Sequence, residues 1–175
     1  MCRRYGAHNV LDIACATGAQ CRVLSACGLH ATGIDLSKEM IDAALRVDPT
    51  GTYLVGSAYA LPFENQKFDA AVLSLALHEH TEDERLRMIE EATRVIRESG
   101  VLVVADYARP VHGRFHLPWQ IIRWIERMAG PEHHAGFVEF VMSGCLKGLI
   151  DRHAWAPIDE ACSHFGVIGI AVVRR

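Results

Sequence analysis

Eight residues closing an apolar run, Leu11-Asp12-Ile13-Ala14-Cys15-Ala16-Thr17-Gly18, join one carboxylate to a chain of small side chains. At a tight strand-to-helix turn, small residues let the backbone approach a ligand, and the first amides of the following helix face it. Seventeen residues after Gly18, Asp35 closes a second apolar run. A carboxylate at that place accepts hydrogen bonds from both hydroxyls of a ribose. Together the two point to recognition of a nucleoside-containing molecule. Each has a plainer reading taken alone. Small residues also let a helix pack close to a sheet, and Asp35 also suits a helix N-terminus. Their occurrence at successive strand ends is what makes the pair specific.

Other reactive side chains are scattered. His78 and His80 flank Glu79, and His133 stands beside His134. Surface or helix-capping roles are expected for these histidines, and no metal site is predicted. The six cysteines form neither a CxxC pair nor a zinc-like array, as expected of reduced thiols in a cytoplasmic protein. Trp119, Ile122, Trp124 and Ile125 are expected to form one packed helix face. Phe115, Phe137, Phe140, Val141 and Leu146 are expected either to cover an apolar ligand or to bury against a sheet.

The elements that must position these groups follow from the apolar pattern. Strands are predicted over 9–14, 31–36, 53–55, 68–75 and 101–105, with helices over 18–28, 37–45 and 82–97 between them. Ser37 caps the second helix, whose buried face carries Met40, Ile41 and Ala44. Glu98-Ser99-Gly100 is predicted to turn the chain into the fifth strand. Helices are predicted over 119–129 and 136–152, and a terminal hairpin over 155–163 and 166–174. The alternation implies an α/β fold, a Rossmann-like three-layer sandwich. Its seven-stranded sheet is mostly parallel and carries an antiparallel strand at the C-terminal end.

At 175 residues the chain reads as one domain, with a variable insertion at about 111–150. A formal net charge of −3 argues against a nucleic-acid partner, which needs a basic face. No apolar run is long enough to span a membrane, and no signal peptide is read at the N-terminus. Nothing in the pattern specifies an oligomeric state.

Val10 to Gly18 resembles the first motif of class I S-adenosylmethionine-dependent methyltransferases, an acidic residue followed by GxGxG. Thr32-Gly-Ile-Asp-Leu-Ser37 resembles their second motif, and Val55 to Phe63 with Lys67-Phe-Asp69 resembles the adenine loop and the strand after it. Glu90 to Ala105 is similar to their segment of helix, Arg-Val-Ile, glycine and strand. The resemblance runs from residue 9 to about 108 and is nearest to the quinone-biosynthesis and small-molecule methyltransferases.

It implies S-adenosylmethionine as cofactor. Asp12 would order the loop near the cofactor's amino group, with Ala14, Ala16, Thr17 and Gly18 lining the methionine moiety. Asp35 would bind the ribose. Leu36 and Met40 would pack on the adenine, Ser57 and Ala58 would meet its edge, and Ser74 and Leu75 would contact the methionine portion. His78, after strand four, would face a small-molecule acceptor as a general base, and Tyr107 would point toward the cleft mouth. The acceptor itself is expected to be small and apolar or aromatic.

The chain departs from the pattern at Ala14 and Ala16, which replace glycines, and at Ser57, where aspartate is common. The first strand starts near Asn9, so a shortened N-terminal lid and an open cofactor site are expected. Two other readings compete: a nicotinamide-dependent oxidoreductase, and a non-catalytic partner module with the methyltransferase fold.

Overall fold

The structure is a computed structural model that describes residues 1–108, 116–128 and 130–175. Its seven strands are β1 (Asn9–Ile13), β2 (His30–Asp35), β3 (Thr52–Val55), β4 (Phe68–Ser74), β5 (Ile96–Tyr107), β6 (Asp159–Ser163) and β7 (Ile168–Arg174). They form one sheet in the order β3-β2-β1-β4-β5-β7-β6. β1 pairs in parallel with β2 and β4, and β2 with β3. β6 and β7 are antiparallel, as the terminal hairpin requires. β7 also runs against β5, since Arg175 bonds to Gly100 at one end and Ala108 to Val167 at the other. The fold is therefore α/β with a mostly parallel seven-stranded sheet, as the sequence implies.

The chain divides into two compact units. The first comprises Met1–Ser74, Leu86–Val103 and Arg174–Arg175; the second comprises Leu75–Arg85 and Val104–Val173. In the first, helices α1 (Ala19–Ala26) and α2 (Lys38–Val47) follow β1 and β2. Ser37 Oγ accepts the Met40 amide at 3.2 Å and caps α2 as expected. Ile41 and Ala44 are buried on that helix, but Met40 is exposed. The core of this unit is a near-continuous apolar set, Val10, Leu11, Ile13, Ile34 and Ala70 to Leu73, typical of strands covered on both faces.

Helix α3 (Glu82–Val95) runs directly into β5, which starts at Ile96. The expected turn at 98–100 is thus extended strand. A Cβ on Gly100 would lie 2.5 Å from the Asp69 carbonyl oxygen, so this glycine permits close approach of backbones rather than a reversal.

In the second unit, α4 (His116–Met128) and α5 (Pro131–Met142) are followed by α6 (Cys145–Arg152). The helix expected over 136–152 is two helices, because Gly144 and Cys145 both adopt positive φ, +100° and +57°, and break the ladder. Phe137, Phe140, Leu146 and Leu149 are buried here, so the aromatics of α5 belong to the core. The predicted apolar face of α4 is corrected. Trp124 is 63% exposed, and Ile121, Ile125 and Met128 are exposed with it. The face turned inward carries Glu126, which is buried. Trp119 and Glu126 are seven residues apart and share a face, whereas 121, 124, 125 and 128 follow the helical period on another. Among the described residues, no helix is long and apolar enough to cross a membrane.

Candidate functional site

In the first unit the turn after β1 keeps the path of a glycine loop although two glycines are alanine. Ala14, Ala16 and Gly18 have φ of 58°, 45° and 72°. Alanine in the left-handed region costs of order 1 kcal/mol. The loop is held regardless, by a staple from β2. Asp35 Oδ2 accepts the Ala16 amide at 2.8 Å, and its Oδ1 accepts the Ser37 amide at 2.9 Å. Each carboxylate oxygen has a lone pair left for an outside donor. Ala16 and Thr17 are exposed, as is Leu36 (72%), so the loop and an apolar platform at the end of β2 stand open. Relieving the strain gives a direct test. Ala14→Gly and Ala16→Gly are each expected to raise stability by about 0.5–1 kcal/mol in urea unfolding. Destabilisation by either would mean that the positive φ carries no cost.

Asp12 lies beneath this turn and is 2% exposed. Its Oδ2 accepts the Cys21 thiol at 3.3 Å. Burial pushes its carboxyl up to about 7; the thiol pulls it down and the Asp35 charge adds to the rise. Cys15, Cys21 and Ile41 pack together under the loop with Tyr53. Gly33 is required there, since a Cβ would lie 2.7 Å from the Cys15 sulfur.

The loop from Gly56 to Phe63 carries Ser57 and Ala58, both half-buried. Ser57 Oγ accepts the Tyr59 amide at 3.1 Å, a local turn. The end of this loop is held by Arg94, which sequence reading did not single out. Its guanidinium donates to the carbonyls of Leu61 and Phe63 and to Asn65 Oδ1, while its partner Glu91 accepts the Leu61 amide at 2.7 Å. The signal was the arginine of the Arg-Val-Ile segment, whose role shows only when the loop folds back on α3.

The second unit gathers the polar groups. Ser74, the last residue of β4, closes a stretch of the first unit, and the second unit opens at Leu75, which has φ 54° and an amide bonded to the Ala105 carbonyl. A short 3-10 turn, Leu77–Glu79, then presents His78. His78 is 3% exposed, so its expected surface role is corrected: its Nδ1 lies 2.9 Å from Asp106 Oδ1. Asp106 is fully buried and accepts the amides of Leu77, His78 and Tyr107. Burial works against the His78 imidazolium. The Asp106 hydrogen bond and the charges of Asp106, Glu126 and Glu79 outweigh it, so its pKa lies above the ordinary value.

Tyr107 donates its hydroxyl to Glu126 Oε1 at 2.7 Å. Burial and that bond raise its pKa. Glu126 Oε2 lies 2.5 Å from His133 Nε2. The rings of His78, Tyr107, Trp119, His133 and Phe137 form one aromatic cluster. Arg85, also buried, bonds to the carbonyls of Leu77 and Gly136 and so ties the turn to α5. Asp106, Glu126 and Arg85 were all missed. A buried acid at a strand end and one on a helix face look like ordinary charges until their burial is known. Phe115 lies outside the described residues.

A family model described as a methyltransferase domain matches residues 11–104. The chain belongs to that family. It is 34% identical over 107 residues to a demethylmenaquinone methyltransferase of Renibacterium salmoninarum, a match covering 61% of this chain and 44% of that protein. A demethylmenaquinone methyltransferase of Thermotoga maritima is also 34% identical, over 109 residues, 61% of this chain and 47% of the relative. The chain spans about half the length of these curated relatives. In fold it is similar to the PH0226 protein of Pyrococcus horikoshii (TM-score 0.71, 19% identity, 95% of this chain and 81% of that one). It is likewise similar to a SAM-dependent methyltransferase of Methanosarcina mazei (TM-score 0.69, 21% identity, 95% and 92%).

S-adenosylmethionine is the cofactor of this methyltransferase domain. The residues present fit it: the β1 turn keeps the glycine path, both Asp35 oxygens retain a lone pair, and Leu36, just past β2, and Met40, in the first turn of α2, are exposed apolar groups.

Proposed function

We propose that this methyltransferase domain catalyses methyl transfer from S-adenosylmethionine to a small, apolar or aromatic acceptor carrying an acidic hydroxyl or carbon, of the hydroquinone kind. The observation that carries the reading is the buried cluster of the second unit, where aromatic rings surround a His78–Asp106 pair. A flat apolar ring suits the half-buried rings of Tyr107, Trp119 and His133 in this cluster, and a histidine of raised basicity suits removal of a phenolic proton. The names of the curated relatives, demethylmenaquinone methyltransferases, agree with an acceptor of that class.

When bound, the cofactor supplies a sulfonium methyl that needs no further activation. What this chain's residues contribute is therefore alignment, exclusion of water and proton management. Asp35 binds the ribose, while Asp12, Ala14, Ala16, Thr17 and Gly18 shape the methionine end. Leu36, Met40, Ser57 and Ala58 receive the adenine, and Ser74 closes the methionine side. Asp106 holds His78 in one tautomer, with Nε2 free to take the proton of the acceptor as its oxygen or carbon attacks. Tyr107 acts by holding Glu126.

The test is formation of S-adenosylhomocysteine with a panel of acceptors. Short-tailed hydroquinones are expected to turn over and to gain one methyl group. If only sugars, peptides or nucleic acids are methylated, the acceptor class is wrong. His78→Asn is expected to lower kcat by about a hundredfold or more, with S-adenosylmethionine affinity unchanged. A loss confined to cofactor affinity would remove His78 from the acceptor's side.

A further inference from the structure

We propose that the second unit binds a divalent transition-metal ion through His78 Nε2, His133 Nδ1 and the Glu79 carboxylate. The inference goes beyond methyl transfer, and ion binding does not rest on that reading.

The spacing is that of a coordination shell. Ligand atoms of His78, Glu79 and His133 all lie within 4.8 Å of one another. Glu79 places Oε1 3.8 Å from His78 Nε2 and Oε2 3.6 Å from His133 Nδ1. Donors at about 2.1 Å from a tetrahedral ion stand roughly 3.4 Å apart, so closure draws the two Glu79 contacts in by a few tenths of an ångström and brings the two histidine nitrogens together from within 4.8 Å.

The far nitrogen of each imidazole is already taken by a buried carboxylate. Asp106 Oδ1 holds His78 Nδ1 at 2.9 Å, and Glu126 Oε2 holds His133 Nε2 at 2.5 Å. A carboxylate on the far nitrogen fixes the ring, places its proton there and leaves the near lone pair free for a metal. Each carboxylate is itself fixed: Asp106 by three backbone amides, Glu126 by the Tyr107 hydroxyl. Both histidines thus have the same arrangement, reached from different elements.

Charge agrees. Asp106, Glu126 and Glu79 bring three carboxylates to two imidazoles, and a divalent ion offsets them with both rings neutral. Two imidazoles and one carboxylate suit zinc, cobalt or another first-row divalent ion better than calcium or magnesium. Three protein donors leave a coordination position open, where a water or the hydroxyl of an acceptor would lose its proton more readily; with the ion bound, that position takes over the proton step, because the ion occupies the His78 Nε2 lone pair.

The test needs no substrate. The full chain, stripped with a chelator, is titrated with Zn2+ by calorimetry and with Co2+ by visible absorption. One equivalent per chain is expected to bind, at a Kd of about 10 μM or tighter, with a Co2+ ligand-field band. His133→Ala and Glu79→Gln, at partly exposed positions, are expected to lose the one-equivalent isotherm and the band. Asp106→Asn is expected to weaken binding by about 10–100-fold. His30→Ala, at an exposed histidine of β2, is expected to change nothing. Absence of saturable one-equivalent binding to the wild-type chain overturns the site, whatever the variants do. So does binding that survives unchanged in both His133→Ala and Glu79→Gln. Either result leaves the methyl-transfer reading standing, because turnover with S-adenosylmethionine is measured separately.

Discussion

Asp35→Ala is expected to weaken S-adenosylmethionine binding by more than tenfold, and by about a hundredfold if both of its roles are lost. The first role, toward the ligand, is the proposed one. Hydrogen bonds from ribose hydroxyls to a carboxylate are charge-assisted and contribute about 1.5–3 kcal/mol. The second is toward the protein, since the same carboxylate accepts the amides of Ala16 and Ser37. Alanine removes the staple that holds Ala16 at positive φ, and that loop then has to be ordered by the cofactor itself. Asp35→Asn separates the two roles. One amide oxygen can keep a single backbone bond, while the charge and the second acceptor are gone. Calorimetric affinities in the order wild type, Asn, Ala are expected. Equal affinity of all three proteins would place the ribose elsewhere.

The part of this molecule legible in the sequence is the part set by short-range pattern. β1, β2 and β4 are apolar runs ending in a turn or an acid, and each lies within a residue or two of its expected bounds. The Ser37 cap and the terminal hairpin follow from equally local rules. What failed was decided by tertiary contact. Gly100 reads as a turn residue, but it serves the approach of β5 to the Asp69 carbonyl. Trp124 and Ile125 read as core by hydropathy, but helix phase turns Glu126 inward instead.

The same division runs through the site. The positions of the loop after β1 and of Asp35 were legible because they are the ends of two successive strands. Asp106 and Glu126 were not, because their partners His78 and His133 are 28 and 7 residues away, and nothing local marks either acid as buried. Histidine beside histidine looked like surface decoration for that reason. The strain at Ala14 and Ala16 was conditional on a φ that only the folded turn reveals.

Asp12→Asn is expected to stabilise the ligand-free protein in a way that depends on pH, because Asp12 is a buried carboxyl of the first unit whose titration is displaced into the neutral range. Its pKa is pushed up to about 7 from 3.8, chiefly by burial. A carboxyl raised in the folded state favours folding fully below the unfolded value and loses that advantage as pH rises. Between about pH 4 and 7 the unfolded chain ionises freely while the folded one resists. Above 7 the charge is present in both states, and the full cost stays with the fold. At about 1.4 kcal/mol per pKa unit, that cost is on the order of 4 kcal/mol as an upper bound. Asparagine keeps the shape and an oxygen for the Cys21 thiol, and it carries no charge at any pH. An amide hydrogen left without an acceptor would subtract a constant 1–3 kcal/mol, so the change with pH is the signature rather than any single value. In urea unfolding, the stability difference between variant and wild type is expected to grow by about 2–4 kcal/mol from pH 4 to 7 and to stay level from 7 to 8.5. Ionisable groups that do not feel the Asp12 charge are common to both proteins and cancel. The Cys2 and Cys21 thiols, which do feel it, are held above that pH window, Cys2 chiefly by burial and Cys21 by the Cys15 hydrogen bond and burial. A difference that is flat across that range would mean that the buried carboxylate carries no electrostatic cost. The same variant is expected to bind S-adenosylmethionine more weakly, since the charge that disfavours the empty fold is the one that the proposed function sets near the cofactor's amino group.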